Sequence, residues 1–143
     1  MFPGTYTDPS APPDSSVRRV ARVMVVDDEP DTVITLLELL RMEGYHARGF
    51  ASGKAALESL AGFDPDVIIS DIAMPHLTGW DVAEAVRWRM GDKRPVLVAI
   101  SGQYTKGADQ VLAQLKGFNY YLTKPCDPEA LMSLIRPLAA NLD

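Results

Sequence analysis

The sequence predicts an α/β protein, a five-stranded parallel sheet covered by helices on both faces. Three observations support this. Short β-branched apolar runs alternate five times with longer segments whose apolar residues recur at helical spacing. Runs such as Val67-Ile68-Ile69 are apolar without alternation, as strands buried on both faces are. Capping residues, prolines or glycines punctuate the helical segments. Five βα units at this spacing imply right-handed crossovers, which lay helices on either side of one sheet.

Residues 1–16, MFPGTYTDPSAPPDSS, hold too little apolar side chain to offset the entropy of ordering. They read as a flexible tail, with one domain over 17–143. The first strand is expected at 20–26. Pro30 suits the first turn of a helix whose apolar stripe is Val33, Ile34, Leu36, Leu37, Leu40 and Met42, and Gly44 stops it. A short second strand covers 45–50. Ser52 caps a helix through Leu60. Val67–Asp71 is the third strand. Gly79–Met90 is a helix with Val82, Ala83, Ala85 and Val86 inward, and 96–100 is the fourth strand. A helix over 106–115 ends before Gly117. Tyr120–Thr123 is the fifth strand and Pro128–Ala140 the last helix.

The 143 residues suffice for one domain with a core and are too few for two. A net charge of −5, with no basic cluster beyond Arg18-Arg19, argues against direct DNA binding. The single cysteine, Cys126, excludes an internal disulfide and fits a reducing, cytoplasmic location. No apolar run is long enough to span a membrane, and the N-terminus lacks the apolar core of a secretion signal.

Chemistry concentrates at the carboxyl ends of the strands. Asp27-Asp28 follow the first strand, Asp71 ends the third, Ser101 follows the fourth and Lys124 the fifth. In open parallel sheets ligands bind at that edge, where the strand order reverses. Three carboxylates brought together there repel one another, and a hard divalent cation relieves the conflict. Mg²⁺ takes oxygen ligands, typically one or two carboxylates, waters and a phosphate. No Cys/His cluster indicates zinc. A carboxylate beside such a metal can attack phosphorus and form an aspartyl phosphate. That transfer needs positioning and charge neutralisation more than acid–base chemistry. The Lys124 ammonium and the Ser101 hydroxyl can each serve one phosphoryl oxygen, and no catalytic base is left over.

The motifs Val25-Val26-Asp27-Asp28-Glu29-Pro30, Asp71-Ile72-Ala73-Met74-Pro75 with Gly79, Ile100-Ser101-Gly102, and Tyr121-Leu122-Thr123-Lys124-Pro125 resemble those of the response-regulator receiver domain, in order and spacing, from Val20 to Ala140. The resemblance implies a flavodoxin-like (βα)5 fold. It implies Mg²⁺-dependent phosphorylation of Asp71 by a histidine kinase or a histidine phosphotransfer protein. By position, Asp28, Asp71 and the main-chain carbonyl of Ala73 would bind Mg²⁺, with Asp27 acting through water. Ser101 and Tyr121 would be the switch residues, and Lys124-Pro125 would carry a cis peptide. The switched face would be the region of the fourth and fifth strands and helices. Such a domain is a phosphoprotein of two-component phosphorelay signal transduction, not a turnover enzyme, catalysing only its own phosphorylation and slow dephosphorylation. The expected state is a stand-alone monomer or weak dimer signalling to a downstream protein. Residues 117–125 are most similar to receivers associated with hybrid histidine kinases. Ala73 is small where the family often has a larger or polar side chain. With Gln103 it would flank the phosphate and set how easily water reaches it.

Plainer readings exist for each residue. Asp27-Asp28-Glu29 could cap a helix, Lys124 could be a solvated lysine, and Tyr121 could be strand packing. His46 and His76 read as surface residues, Arg18-Arg19 as a solvated boundary, and Cys126 as packing under its loop. Trp80 and Trp88 are eight apart, about 80° on the helical wheel, so one at least is expected near the surface. Two rival functions are a phosphorylation-independent scaffold and an aspartate-nucleophile phosphatase. The complete set of five polar residues opposes the first. The second usually carries an acid/base Asp two residues after the nucleophile, where this chain has Ala73. A dinucleotide or flavin site is opposed by the lack of a glycine-rich loop after the first strand.

Overall fold

The computed structural model describes residues 19–103 and 106–142; the tail expected at 1–16 lies outside them. Strands and helices alternate as β1 (Arg22–Val26), α1 (Pro30–Met42), β2 (His46–Phe50), α2 (Gly53–Phe63), β3 (Val67–Asp71), α3 (Gly79–Met90), β4 (Val96–Ser101), α4 (Gly107–Lys116), β5 (Tyr120–Thr123) and α5 (Pro128–Ala140). All strand pairs are parallel, in the order β2-β1-β3-β4-β5. The order reverses between β1 and β3.

Successive strand residues face opposite sides of the sheet and build two cores. Met24, Val26, Ile68, Leu97 and Ala99 pack with α2, α3 and Ala113 of α4. Val23, Val25, Val67, Ile69, Val98 and Ile100 pack with α1 and α5. Both sides of β3 are buried, which explains its unbroken apolar run.

Boundaries differ from expectation in places. Strand β1 begins at Arg22, not Val20, which is 57% exposed. Helix α2 continues past Leu60, because Phe63 is a core residue and Asp64 closes the helix in a left-handed conformation. Ile34 and Met42 leave the α1 stripe and are exposed, whereas Leu36 and Leu40 are buried. At 100° per residue, Ile34 and Met42 lie about 100° and 180° from Val33, off the arc that faces the sheet. In α3, Ala85 is half-buried while Val82, Ala83 and Val86 are buried.

Arg19 is not a solvated boundary. It forms a two-pronged ion pair with Asp66, which also accepts the Arg22 backbone N–H at 2.8 Å and Arg94 Nη2 at 2.8 Å. The Asp66 carboxylate, 4% exposed, thereby ties the chain before β1 to the starts of β3 and β4. Burial pushes its carboxyl up, yet hydrogen bonds from Arg19 and Arg22 and their charges bring it below the usual value of 3.8. A depressed carboxyl stabilises the fold above its unfolded pKa, and that stability is lost as pH falls through the folded value. Asp66→Asn is expected to cost about 2 kcal/mol near neutrality, less than a fully buried pair because both arginines are partly solvated. Urea midpoints should converge with wild type in acid.

Candidate functional site

Parallel pairing sets the site. Val26 is level with Ser70, so Asp27 and Asp71 emerge side by side where the strand order reverses. Asp71 is level with Ile100, and Ser101 with Thr123. The Lys124 backbone N–H donates to the Ser101 carbonyl at 3.0 Å, which carries β5's register into the following turn. The Lys124–Pro125 peptide is cis, and Arg94–Pro95 is also cis.

Each of Asp27, Asp28 and Asp71 offers a carboxylate oxygen within 4.8 Å of the others, and this is the one such cluster among the described residues. Asp27 and Asp71 are buried and Asp28 is exposed. Lys124 Nζ reaches Asp27 Oδ2 at 2.9 Å and Asp71 Oδ2 at 3.4 Å, with Glu29 Oε1 at 3.9 Å. The other Asp27 oxygen accepts the Glu29 N–H at 2.9 Å, which shapes the turn ahead of α1, but the helix is capped at Glu29 without a side-chain bond, so the capping reading of Asp27-Asp28-Glu29 is not met. One carboxylate therefore orders the turn before α1 and holds the lysine.

The electrostatics are those of a crowded anionic site. Burial and the neighbouring Asp27 hold the Asp71 carboxyl above its usual range, against the opposing pull of Lys124. Burial would lower the Lys124 ammonium, but its hydrogen bond to Asp27 and the charges of Asp27 and Asp71 raise it. The oxygen-only donor set, the carboxylate spacing and the raised Asp71 all fit a hard divalent cation.

The loop after Asp71 is built by a close approach. The Gly79 N–H donates to the Ile72 carbonyl at 2.8 Å, and a Cβ on Gly79 would sit 2.2 Å from the Asp71 carbonyl oxygen. Only glycine lets α3 start this near the acceptor strand. The buried Ser70 hydroxyl donates to the same Asp71 carbonyl at 2.9 Å. Thr78 and Asp81 then form a capping box for α3.

A cleft of about 530 Å³ opens above the cluster, lined by Asp28, Asp71, Ala73, Gly102, Gln103 and Lys124 among others. Ala73 and Gln103 both line it. Ser101 is fully buried at the end of β4, and its hydroxyl accepts the Gln103 N–H at 3.2 Å. Tyr121 is level with Ala99 and half-buried against the α2–α3–α4 core.

The remaining candidates stay outside. His46 is exposed on edge strand β2, edge-on to Phe63 at 5.3 Å, and His76 is exposed in the loop after β3. Cys126 is half-buried beside the α1–α5 core, and burial, then Asp127, pushes its thiol up, which disfavours the reactive thiolate. Trp88 is 90% exposed. Asp66 went unnoticed in the sequence because its three arginine partners lie 28 to 47 residues away.

The model of the response regulator receiver domain matches residues 23–136. An uncharacterized 14.6 kDa protein of Leptolyngbya boryana is 36% identical over 115 residues, which are 80% of this chain and 86% of that protein. The DNA-binding response regulator MtrA of Mycolicibacterium smegmatis is 30% identical over 80% of this chain, which spans only 49% of MtrA. Among solved structures, the chemotaxis protein CheY4 of Vibrio cholerae superposes with a TM-score of 0.78 at 28% identity, covering 84% of this chain and 99% of that one. The fold, the acidic cluster with its lysine, and these matches agree: the chain belongs to the response regulator receiver domain family, the signalling module of two-component systems.

Proposed function

We propose that Asp71 accepts a phosphoryl group from a histidine kinase or histidine phosphotransfer protein in the cytoplasm, and that the phosphorylated form is the signal. The observation that carries this reading is the Lys124 ammonium bridging Asp27 and Asp71 at 2.9 and 3.4 Å inside a three-carboxylate cluster. Asp28, Asp71 and the Ala73 carbonyl would hold Mg²⁺, with Asp27 acting through water. When bound, the ion supplies positive charge to one phosphoryl oxygen.

The chain's own groups do the rest. An Asp71 carboxylate oxygen attacks phosphorus; the new O–P bond forms as the P–N bond of phosphohistidine breaks, and the imidazole leaves with its electron pair. Lys124 neutralises a second oxygen, and the Ser101 hydroxyl, released from the Gln103 N–H, donates to the third. Movement of Ser101 frees space in front of Tyr121, which biases β4, α4, β5 and α5 toward the signalling conformation. Ala73 offers no acid or base for rapid hydrolysis, so the phosphoryl group persists.

Acetyl phosphate with Mg²⁺ should give an adduct that hydroxylamine removes, as an acyl phosphate requires. An adduct stable to alkali but lost in acid would place the phosphate on histidine and overturn the reading. A non-hydrolysed phosphate mimic with Mg²⁺ is expected to shift NMR resonances of residues 106–140; unchanged resonances there would remove the switching half of the reading.

A further inference from the structure

Glu29 is the one acid of the Asp27-Asp28-Glu29 run that the phosphoacceptor chemistry leaves without a task. It stands at the N-cap of α1, yet its side chain makes no capping hydrogen bond. Its carboxylate belongs instead to the acceptor cleft, which it lines with Asp28, Asp71 and Lys124. The Thr32 hydroxyl donates to Glu29 Oε1 at 2.6 Å, and Lys124 Nζ lies 3.9 Å from the same oxygen. An exposed glutamate is ordinarily a solvated charge with no fixed place. This one is held at the mouth of the cleft by a threonine three residues on.

The cleft is short of positive charge. Its lining holds three carboxylates, Asp28, Glu29 and Asp71, against one ammonium. That ammonium is engaged more closely by Asp27 and Asp71, at 2.9 and 3.4 Å. Glu29 also stands outside the three-carboxylate cluster that suits a divalent cation, and its side chain is 64% exposed. Its negative charge therefore faces whatever enters the cleft.

Every phosphodonor brings negative charge, and repulsion tells most on a donor with little else to bind by. A free acyl phosphate is a dianion of a few atoms. One unit charge about 8 Å away disfavours it about fivefold at the dielectric of water. A protein donor adds contact area of its own, which outweighs one exposed charge. We infer that Glu29 is a specificity residue, whose carboxylate holds back small anionic phosphodonors and so reserves Asp71 for a protein donor. The inference rests on the reading of Asp71 as the phosphoacceptor.

Two donors of different charge test it: acetyl phosphate, a dianion, and phosphoramidate, which carries one net negative charge at neutral pH. Second-order rate constants are read by intact mass at low ionic strength and saturating Mg²⁺. Glu29→Gln keeps an oxygen for Thr32. It should raise the rate about fivefold with acetyl phosphate and about twofold with phosphoramidate, following their charges, at an unchanged melting temperature. Glu29→Lys should raise the first rate further. Both gains should fade at about 1 M salt, where screening acts within about 3 Å. Affinity for inorganic sulfate, a tetrahedral dianion that transfers nothing, should rise about fivefold in Glu29→Gln by NMR titration at low ionic strength. Equal gains with both donors, or gains that survive high salt, would make Glu29 a positioning residue for Lys124 and overturn the inference. Unchanged rates and sulfate affinity would overturn it while leaving Asp71 as the acceptor. A wild type that takes phosphate from neither donor would remove the acceptor reading, and this inference with it.

Discussion

Asp71→Asn is expected to abolish phosphoryl uptake and, in the absence of metal, to raise the melting temperature at neutral pH. The two effects have one cause. A carboxyl held above its ordinary pKa by burial and by Asp27 is a nucleophile kept at the expense of the fold. The sign follows from linkage. A carboxyl whose folded pKa is raised leaves full stability below its unfolded value, and that stability is lost as pH rises through the folded value. The metal-free protein carries this penalty wherever Asp71 is ionised, and the neutral amide removes it. For a domain of this size each kcal/mol gained moves the midpoint by roughly 3–5 °C, and a rise of that order is expected by calorimetry in EDTA. Mg²⁺ should reverse the order. At a free concentration one hundred times the dissociation constant, binding stabilises the native state by about 2.7 kcal/mol, and the variant lacks a ligand carboxylate. A variant that melts below wild type in EDTA would show that Asp71 serves the fold rather than the chemistry.

Lys124→Met is expected to slow phosphorylation by acetyl phosphate by about 10²-fold, the usual cost of removing one donor to a developing charge. Uptake should remain detectable, because Asp71 and the metal ligands are intact. The same change leaves Asp27 buried beside Asp71 without the ammonium that sits 2.9 Å from it. About 2–3 kcal/mol of stability should go with it, since breaking a partly buried pair falls below the fully buried case. Lys124→Arg should restore stability better than rate, as a planar guanidinium fork cannot occupy the point position of an ammonium between two carboxylates. Initial rates from quenched samples and urea midpoints separate the two effects. Wild-type rates in Lys124→Met would exclude the lysine from transition-state charge stabilisation.

The site was more legible in sequence than the packing around it. Asp27, Asp28, Asp71, Ser101 and Lys124 could be placed together because each ends a strand or closely follows one, and parallel strands bring their carboxyl ends to one edge. That inference needed only the order of elements. Ile34 and Met42 were misassigned because an apolar residue off the helical arc looks the same in sequence as one on it. Phe63 extended α2 past Gly62 because the phenyl ring is buried in the core, a tertiary gain that outweighs the glycine's weak helix propensity. Asp66 had no local signature at all. Its role rests on Arg19 and Arg94, which only the finished sheet brings together. Asp27-Asp28-Glu29 looked in sequence like a helix cap, yet no side chain caps α1; Asp27 instead holds the Glu29 N–H with one oxygen and Lys124 with the other.

Intact-mass spectrometry tests the central claim most directly. Wild type, Asp71→Ala and wild type in EDTA are each incubated with acetyl phosphate, the first two with Mg²⁺. The expected result is one phosphoryl group on wild type with Mg²⁺ and none in the other two samples. A phosphoryl adduct of the same stoichiometry on Asp71→Ala would contradict the assignment of Asp71 as the acceptor.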